Sequence, residues 1–152
     1  MSNEHFLVSE AVDKYGRGRE NLLPILQEIV QEKRYLSEEA LKAIAKAIDL
    51  SPAEVYGVAS FYSFLDMIPR GKNIIRICKT ITCYMKGKDE IIQAIENRLK
   101  IHVGETTADN KFSLLLVNCI GWCHKGPAML INDKVYTEMT TEKAVKAIEE
   151  YL

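Results

Sequence analysis

Four cysteines, arranged as two pairs, are the residues of this chain best suited to chemistry. Four residues lie between Cys78 and Cys83, three lie between Cys119 and Cys123, and 35 separate the two pairs. Neither pair has the C-x-x-C spacing of a thioredoxin-type redox site or of the commonest zinc knuckle. In a reducing compartment, thiolates more often hold a metal or do redox chemistry than form structural disulfides. The arrangement therefore indicates a metal or iron–sulfur site.

Both cysteine pairs come directly after predicted β-strands. The apolar run "NIIRI" at residues 73–77 leads into Cys78, and the run "FSLLLVN" at residues 112–118 leads into Cys119. The second run is almost uninterrupted, which is typical of a strand buried on both faces. If the two strands are neighbours in one sheet, the four thiolates converge at one edge.

The spacing of the cysteines bears on which metal they would hold. Soft thiolate ligands in a tetrahedral set select zinc or an iron–sulfur cluster. Zinc knuckles wrap a single ion and most often place two residues between paired cysteines, whereas wider loops suit two iron atoms, each bound by one pair. The intervening residues, "KTIT" and "IGW", leave backbone N–H groups free to bond cluster sulfurs. The spacing favours iron–sulfur over zinc and leaves both open.

The region ahead of the first strand predicts a small helical bundle. Four segments carry apolar residues at helical spacing, at residues 4–16, 20–35, 37–50 and 51–65. Ser37 and Ser51 are predicted N-caps, and Pro52 fits the first helical position. Gly57 weakens its helix, which suggests close helix packing there. The helical spacing of four nearby aromatic residues predicts partial burial with at most one edge exposed: Tyr56, Phe61, Tyr62 and Phe64.

The spacing of the apolar residues changes from one typical of a helix to one typical of a strand around Pro69 and Gly71. The remaining elements follow the order β-α-β-β-β-α, with a hairpin across residues 132–133 and a final helix capped by Thr140 or Thr141. The sequence therefore predicts an α+β chain with two domains. An N-terminal helical bundle occupies residues 1–70, and a mixed sheet with flanking helices occupies residues 71–152.

Composition and charge narrow the class of protein. Hydrophobic residues make up 47% and charged residues 27%, which is globular composition. The net charge of −1 gives no electrostatic case for nucleic acid or an anionic membrane surface. No apolar run approaches the roughly 18 residues that span a bilayer, so direct membrane insertion is not expected. No secretory signal is visible at the start, and the expected compartment is the cytoplasm.

The chain resembles the thioredoxin-like [2Fe–2S] ferredoxin family, specifically the NuoE-type peripheral subunit of NADH-oxidising complexes. The resemblance rests on motifs in the family's order and spacing: "VYGVASFYSF" (55–64), "PRGK" (69–72), "CKTITC" (78–83), "KG" (86–87), "CIGWCHKGPAMLIND" (119–133) and "VYTEMT" (135–140). It implies a thioredoxin-like sheet from about residue 72 onward. It also implies that one [2Fe–2S] cluster is ligated by Cys78, Cys83, Cys119 and Cys123.

The resemblance further implies an electron-transfer subunit without catalytic residues of its own. Such a subunit exchanges single electrons with a larger flavoprotein that carries FMN and binds NAD(H), in a complex with further iron–sulfur subunits. The absence of a glycine-rich dinucleotide motif agrees with NAD(H) binding on the partner. Relatives occur in respiratory complex I, in NAD-linked and electron-bifurcating hydrogenases and in NAD-linked formate dehydrogenases. The sequence does not distinguish among these hosts.

Two residues near the cysteines depart from the family pattern. Trp122 stands where the family commonly has a small residue, and Gly126 stands where it commonly has alanine. Four nearby lysines either offset cluster charge or are ordinary solvated side chains: Lys79, Lys86, Lys88 and Lys125.

Two other functions are alternatives to electron transfer. One alternative function is a zinc-stabilised tetrathiolate interaction module without a redox role. A thiol–disulfide enzyme is the other, and the lack of a C-x-x-C pair weighs against it.

Overall fold

A computed structural model describes residues 3–152 and divides the chain into two compact units, one ending at Pro69 and one spanning Arg70–Leu152. The first unit contains four helices: α1 (Asn3–Tyr15), α2 (Leu22–Lys33), α3 (Glu38–Ala47) and α4 (Pro52–Phe61). The second unit contains three helices and four strands: β1 (Asn73–Cys78), α5 (Ile81–Met85), α6 (Lys88–Leu99), β2 (Phe112–Val117), β3 (Met129–Ile131), β4 (Lys134–Tyr136) and α7 (Thr141–Glu149). The predicted α+β fold class is confirmed. No helix within the described residues has the length and apolar character to cross a membrane.

Helix starts in the first unit follow from their capping residues. The Ser37 hydroxyl accepts a hydrogen bond from the Ala40 N–H at 3.0 Å, and the Ser51 hydroxyl accepts one from the Glu54 N–H at 3.2 Å. Pro52 occupies the first turn of α4, where its missing N–H leaves no bond unmade. These predicted caps are confirmed. Helix α1 contacts α2 and α3, and α4 contacts the same two helices, so the four enclose one apolar core.

The second unit is built on a four-stranded mixed sheet with the strand order β2-β1-β3-β4. Strands β1 and β2 are parallel neighbours, with Cys78 opposite Val117 at their carboxyl ends. Strand β3 runs antiparallel to β1 on its other side, and a two-residue turn at residues 132–133 joins β3 to β4. The predicted hairpin is therefore present, and the two strands that precede the cysteine pairs are neighbours.

One face of the sheet and the helices α6 and α7 share a second core. The strands contribute alternate residues, since successive side chains point to opposite faces of a sheet. The buried members include Ile75, Ile77, Leu114, Met129 and Ile131 from the strands and Ile91, Ile95, Ala144, Ala147 and Ile148 from the helices. This core holds the carboxyl ends of β1 and β2 in a fixed register.

Two local expectations are wrong. Strand β2 is not buried throughout, because it lies at the edge of the sheet and Leu115 and Leu116 are only half-buried, whereas all six residues of the interior strand β1 are buried. Gly57 does not mark close packing: it is exposed, and a Cβ added there would meet nothing within 4 Å.

Candidate functional site

The carboxyl ends of β1 and β2 position the cysteines. Cys78 is the last residue of β1, and Cys119 lies two residues after the end of β2. Cys83 lies on the short helix α5 rather than in a loop, and Cys123 begins a 3₁₀ turn that ends at Lys125. The parallel pairing of the strands therefore brings both pairs to one edge of the sheet, as the strand predictions required.

The four thiols differ in their exposure. None of them is in a disulfide, and Cys78 and Cys83 are fully buried, whereas Cys123 is half-buried and Cys119 is exposed. The Sγ atoms of Cys119 and Cys123 lie 3.1 Å apart. The site thus has a buried inner pair, Cys78 on β1 and Cys83 on α5, and a more solvent-accessible outer pair, Cys119 and Cys123, in the loop after β2.

Hydrogen-bond donors are directed at the sulfur of Cys78. Burial is the largest single cause and would raise the pKa of Cys78, but hydrogen bonds from the Thr80 hydroxyl, 3.0 Å away, and from the Thr80 backbone N–H are the main opposing causes, and the net pKa is lowered. The Cys83 thiol and the backbone N–H of Ile120 contribute in the same direction. Ile120 belongs to the second cysteine loop, so the inner sulfur and that loop are in contact.

The remaining thiols also interact across the two pairs. Burial is the main cause that raises the pKa of Cys83, and the Cys78 thiol adds to it, while a bond from the Ala128 N–H opposes them. The Cys119 thiol raises the pKa of Cys123 most, and the negative charges that Cys78 and Cys83 can carry raise it further. The Gly121 N–H donates to Cys119 Sγ at 3.4 Å. The Cys123 thiol is therefore affected electrostatically by the other three thiols.

The donor set fits an anionic thiolate-bound cluster. Backbone N–H groups from Thr80, Ile120, Gly121 and Ala128 reach three of the sulfurs, and such bonds lower the cost of negative charge on metal-bound sulfur. Within residues 3–152, no group of three or more His, Cys, Asp or Glu side chains is assembled so that it could hold a metal ion. The ligand set of four cysteines therefore stays a prediction.

The four nearby lysines have different environments. Lys86 Nζ donates to the backbone carbonyl of Cys123 at 3.2 Å. Lys88 is buried, forms an ion pair with Asp89 and places its ammonium 5.3 Å from the centre of the Tyr84 ring. Lys79 and Lys125 are exposed, as is Lys86. Lys86 is thus the lysine that connects the two cysteine segments, and no pattern in the sequence signals that contact.

Exposed hydrophobic side chains flank the cysteines. On α5, Ile81 is 68% exposed, Tyr84 is 55% exposed and Met85 is 79% exposed. Trp122 is also exposed, and its ring stacks on the His124 ring with centroids 5.7 Å apart. Sequence reasoning missed the α5 surface, because a helix of five residues is too short to show a helical period.

The aromatic residues of the first unit are more exposed than expected. Tyr56, Phe61, Tyr62 and Phe64 range from 41% to 79% exposed, and Phe61 and Tyr62 form an edge-to-face pair with centroids 5.1 Å apart. The expectation of partial burial with one exposed edge is wrong, because Val55 and Ala59 supply the buried face of α4 instead.

Comparison with known proteins gives matches along nearly the whole chain. A family model described as thioredoxin-like [2Fe–2S] ferredoxin matches residues 8–152. The chain is 40% identical over 152 residues to an NADH-quinone oxidoreductase subunit of Buchnera aphidicola, and the match covers 99% of this chain and 94% of that protein. It is 32% identical over 144 residues to NADP-reducing hydrogenase subunit HndA of Solidesulfovibrio fructosivorans, covering 95% of this chain and 84% of that one.

A solved structure also matches the chain. It is the crystal structure of an NAD+-reducing [NiFe]-hydrogenase in the H2-reduced state, with a TM-score of 0.74 and 25% sequence identity. The match covers 89% of this chain but 22% of the hydrogenase chain. The present chain therefore corresponds to about a fifth of that longer polypeptide.

Proposed function

The chain belongs to the thioredoxin-like [2Fe–2S] ferredoxin family, and from that premise we propose that it is the electron-transfer subunit of an NADH-dependent oxidoreductase complex. The family assignment confirms the resemblance seen in the cysteine motifs and, with it, the [2Fe–2S] cluster as the cofactor. We propose Cys78, Cys83, Cys119 and Cys123 as its ligands. The observation that carries this proposal is that four unpaired thiols lie at or follow the carboxyl ends of two parallel neighbouring strands.

The residues of the chain have distinct tasks in this proposal. When bound, the cluster supplies one-electron redox chemistry. Cys78 and Cys83 anchor it on the buried side, where bonds from Thr80 and Ala128 stabilise negative charge on their sulfurs. Cys119 lies on the exposed side, where solvent or a partner reaches the sulfur. In this proposal the protein shields one side of the cofactor from solvent and leaves the other side accessible to solvent or a partner.

The hydrophobic residues beside the cysteines support a partner surface. Ile81, Tyr84 and Met85 project from one short helix, and exposed apolar side chains grouped in this way are typical of protein–protein interfaces. We propose that this surface docks on the flavoprotein subunit that carries FMN and binds NAD(H). Exposed Lys79 and Lys125 favour an acidic rim on that partner. Relatives named as subunits of an NADH-quinone oxidoreductase and of an NADP-reducing hydrogenase agree with a role in a complex.

Three finer features belong to the same proposal. The two domains are residues 1–70 and 71–152. The compartment is the cytoplasm, whose reducing conditions keep cysteines available for iron. The host is an NADH dehydrogenase, a formate dehydrogenase or a hydrogenase, including the electron-bifurcating kind, with further iron–sulfur subunits on the path.

The decisive measurement is the iron and sulfide content of protein purified without air, together with its EPR spectrum after dithionite reduction. We expect about two irons and two sulfides per chain and a rhombic S = 1/2 signal. Stoichiometric zinc without sulfide or signal would overturn the proposal in favour of a structural tetrathiolate module.

Single Cys→Ser variants test the ligand set. Each of Cys78→Ser, Cys83→Ser, Cys119→Ser and Cys123→Ser should lower the cluster content or alter the EPR signal, because serine replaces a soft thiolate with a harder oxygen ligand. Ser60→Ala is the control, since Ser60 is exposed in the first unit. A cysteine variant that keeps the parent's iron content and signal would remove that residue from the ligand set.

A further inference from the structure

One lysine side chain joins the two segments that carry the cysteines. Lys86 immediately follows α5, three residues after Cys83, and its Nζ donates to the backbone carbonyl of Cys123 at 3.2 Å. The contact therefore connects the segment of one cysteine pair to the backbone of the other pair. Lys88, the next lysine along the chain, is instead paired with its neighbour Asp89.

Gly126 lies beside this crossing, and a Cβ at this position would make ordinary van der Waals contacts. A Cβ added at Gly126 would lie 3.6 Å from the Lys86 Cδ, 3.6 Å from the Cys123 carbonyl oxygen and 3.4 Å from Cys83 Sγ. Its φ of −73° is one that any residue adopts, so backbone strain does not demand glycine here. The lysine stem, the second loop and the inner sulfur thus meet around a position that carries no side chain.

The ammonium of Lys86 is electrostatically available to the site. In the part of the chain that the structure describes, Lys86 forms this bond to a neutral carbonyl and no ion pair with a carboxylate. Its positive charge is therefore not cancelled locally, unlike the charges of Lys88 and Lys134. A positive charge beside a thiolate site stabilises the more negative of two redox states.

We propose that Lys86 is a positioning residue that ties the Cys119–Cys123 loop to α5 and raises the reduction potential of the site. The electrostatic half of this inference rests on the function proposed above, whereas the mechanical half concerns the protein itself. The tie holds the outer pair of thiols, Cys119 and Cys123, near the buried, inner pair. Its charge offsets part of the negative charge that four thiolates bring.

The test compares Lys86→Met with Lys86→Arg and with the control Lys146→Met. Methionine keeps much of the stem but removes the ammonium, and arginine restores a positive donor. Lys146 is an exposed lysine on α7 in the same unit, so its substitution changes the net charge equally without altering either cysteine segment. Two readouts are needed: amide hydrogen exchange over residues 119–126 in the metal-free full-length protein, and the midpoint potential of the loaded protein by EPR-monitored titration.

Lys86→Met should accelerate exchange over residues 119–126 by about two- to tenfold, the effect of losing one hydrogen bond, while Lys86→Arg and Lys146→Met stay near the parent. It should also shift the midpoint potential to a more negative value, by more than Lys146→Met does, and Lys86→Arg should restore most of that shift. Unchanged exchange in Lys86→Met would overturn the tie, and a shift no larger than the control's would overturn the electrostatic role. If the parent binds no iron, the proposed function fails while the exchange measurement still decides the tie.

Discussion

At the scale of single residues, Thr80 makes the most specific contact with a predicted ligand. Its hydroxyl lies 3.0 Å from Cys78 Sγ, and it lowers the pKa of that thiol against the effect of burial. A donor to a cluster sulfur stabilises the reduced, more negative state and so raises the potential. We expect Thr80→Val to lower the midpoint potential by about 40 mV, the equivalent of roughly 1 kcal/mol for one electron.

Thr80→Ser provides the matched control because it keeps the hydroxyl and removes only a methyl group. Its potential should stay close to that of the parent in the same redox titration. Equal shifts in Thr80→Val and Thr80→Ser would show that the hydroxyl hydrogen bond does not set the potential at this position, because serine keeps the hydroxyl.

Two glycines predict substitutions of opposite sign. A Cβ at Gly71 would lie 2.7 Å and 2.9 Å from backbone atoms of Phe112, so Gly71→Ala must displace β2 and should destabilise the protein by about 1–3 kcal/mol. Gly57 is exposed in α4 with open space around it, and Gly57→Ala should stabilise by about 0.5–1 kcal/mol. Denaturant unfolding of both variants checks the signs. If Gly57→Ala instead destabilised the protein, the result would support the close helix packing that the sequence suggested at Gly57.

The sequence predicts which residues carry the chemistry better than it predicts what surrounds them. Cys78 and Cys119 could be placed because each follows an apolar run that forms a strand. The Lys86 contact could not, because the two partners are 37 residues apart and meet only after the strands have paired. Thr80 likewise reads as an ordinary loop residue until Cys78 is seen to be buried beside it.

At the scale of elements, one carboxylate links α1 to α2. The Glu28 oxygens accept bonds from Lys14 Nζ at 2.8 Å and 2.9 Å and from the Tyr15 hydroxyl at 2.9 Å. The bond from Lys14, followed by that from Tyr15, holds the pKa of Glu28 below its usual value. A lowered folded-state pKa means that this carboxylate stabilises the fold above the pKa of the unfolded chain, and that the contribution is lost as the pH falls through the folded-state value.

Glu28→Gln should therefore destabilise the protein at pH 7, and the difference from the parent should shrink as the pH falls below about 4. Urea unfolding at neutral and acidic pH measures it. Glu32→Gln is the control, because Glu32 is an exposed carboxylate one turn further along α2. If the loss in free energy of unfolding caused by Glu28→Gln persisted unchanged at low pH, the packing of the side chain, and not its charge, would account for the stabilisation.

Element prediction succeeded where the pattern was long and failed where it was short or rotated. The four N-terminal helices, α6 and α7 each have nine or more residues, and β1 and β2 each have six, so their apolar patterns are long enough to predict. Helix α5 has five residues, Ile81–Met85, and a run of that length carries no usable period. In α1 the buried face is formed by Val8, Ala11 and Val12, whereas Phe6 is exposed, so a sparse apolar stripe does not by itself fix which face of a helix is buried.

At the scale of the whole molecule, each of the two compact units has its own core. The helices up to Pro69 enclose one, and the sheet with α6 and α7 encloses the other. The change from helical to strand period near Pro69 and Gly71 predicts a division at residue 70. All four cysteines fall in the second unit, so the predicted cofactor site is formed within one unit.

The surface beside that site gives the prediction that bears most directly on the proposed complex. Met85 is 79% exposed on α5, close in sequence to Cys83, and a charge placed there would have to be desolvated when the flavoprotein subunit docks. We expect Met85→Glu to weaken binding to the NADH-binding subunit from the same organism by about tenfold or more, the range of an interface hot spot. Calorimetry or surface plasmon resonance measures the change.

The control is Val135→Glu, an exposed apolar residue on β4, the edge strand farthest from β2. Its binding should match that of the parent, and the EPR signal of both variants should be unchanged, so that a loss of affinity reflects docking and not loss of the cofactor. If Met85→Glu binds as the parent does, the partner approaches elsewhere. The exposed aromatic group Tyr56, Phe61, Tyr62 and Phe64 on the first unit would then be the next surface to substitute, because it is the other large set of exposed aromatic side chains within residues 3–152.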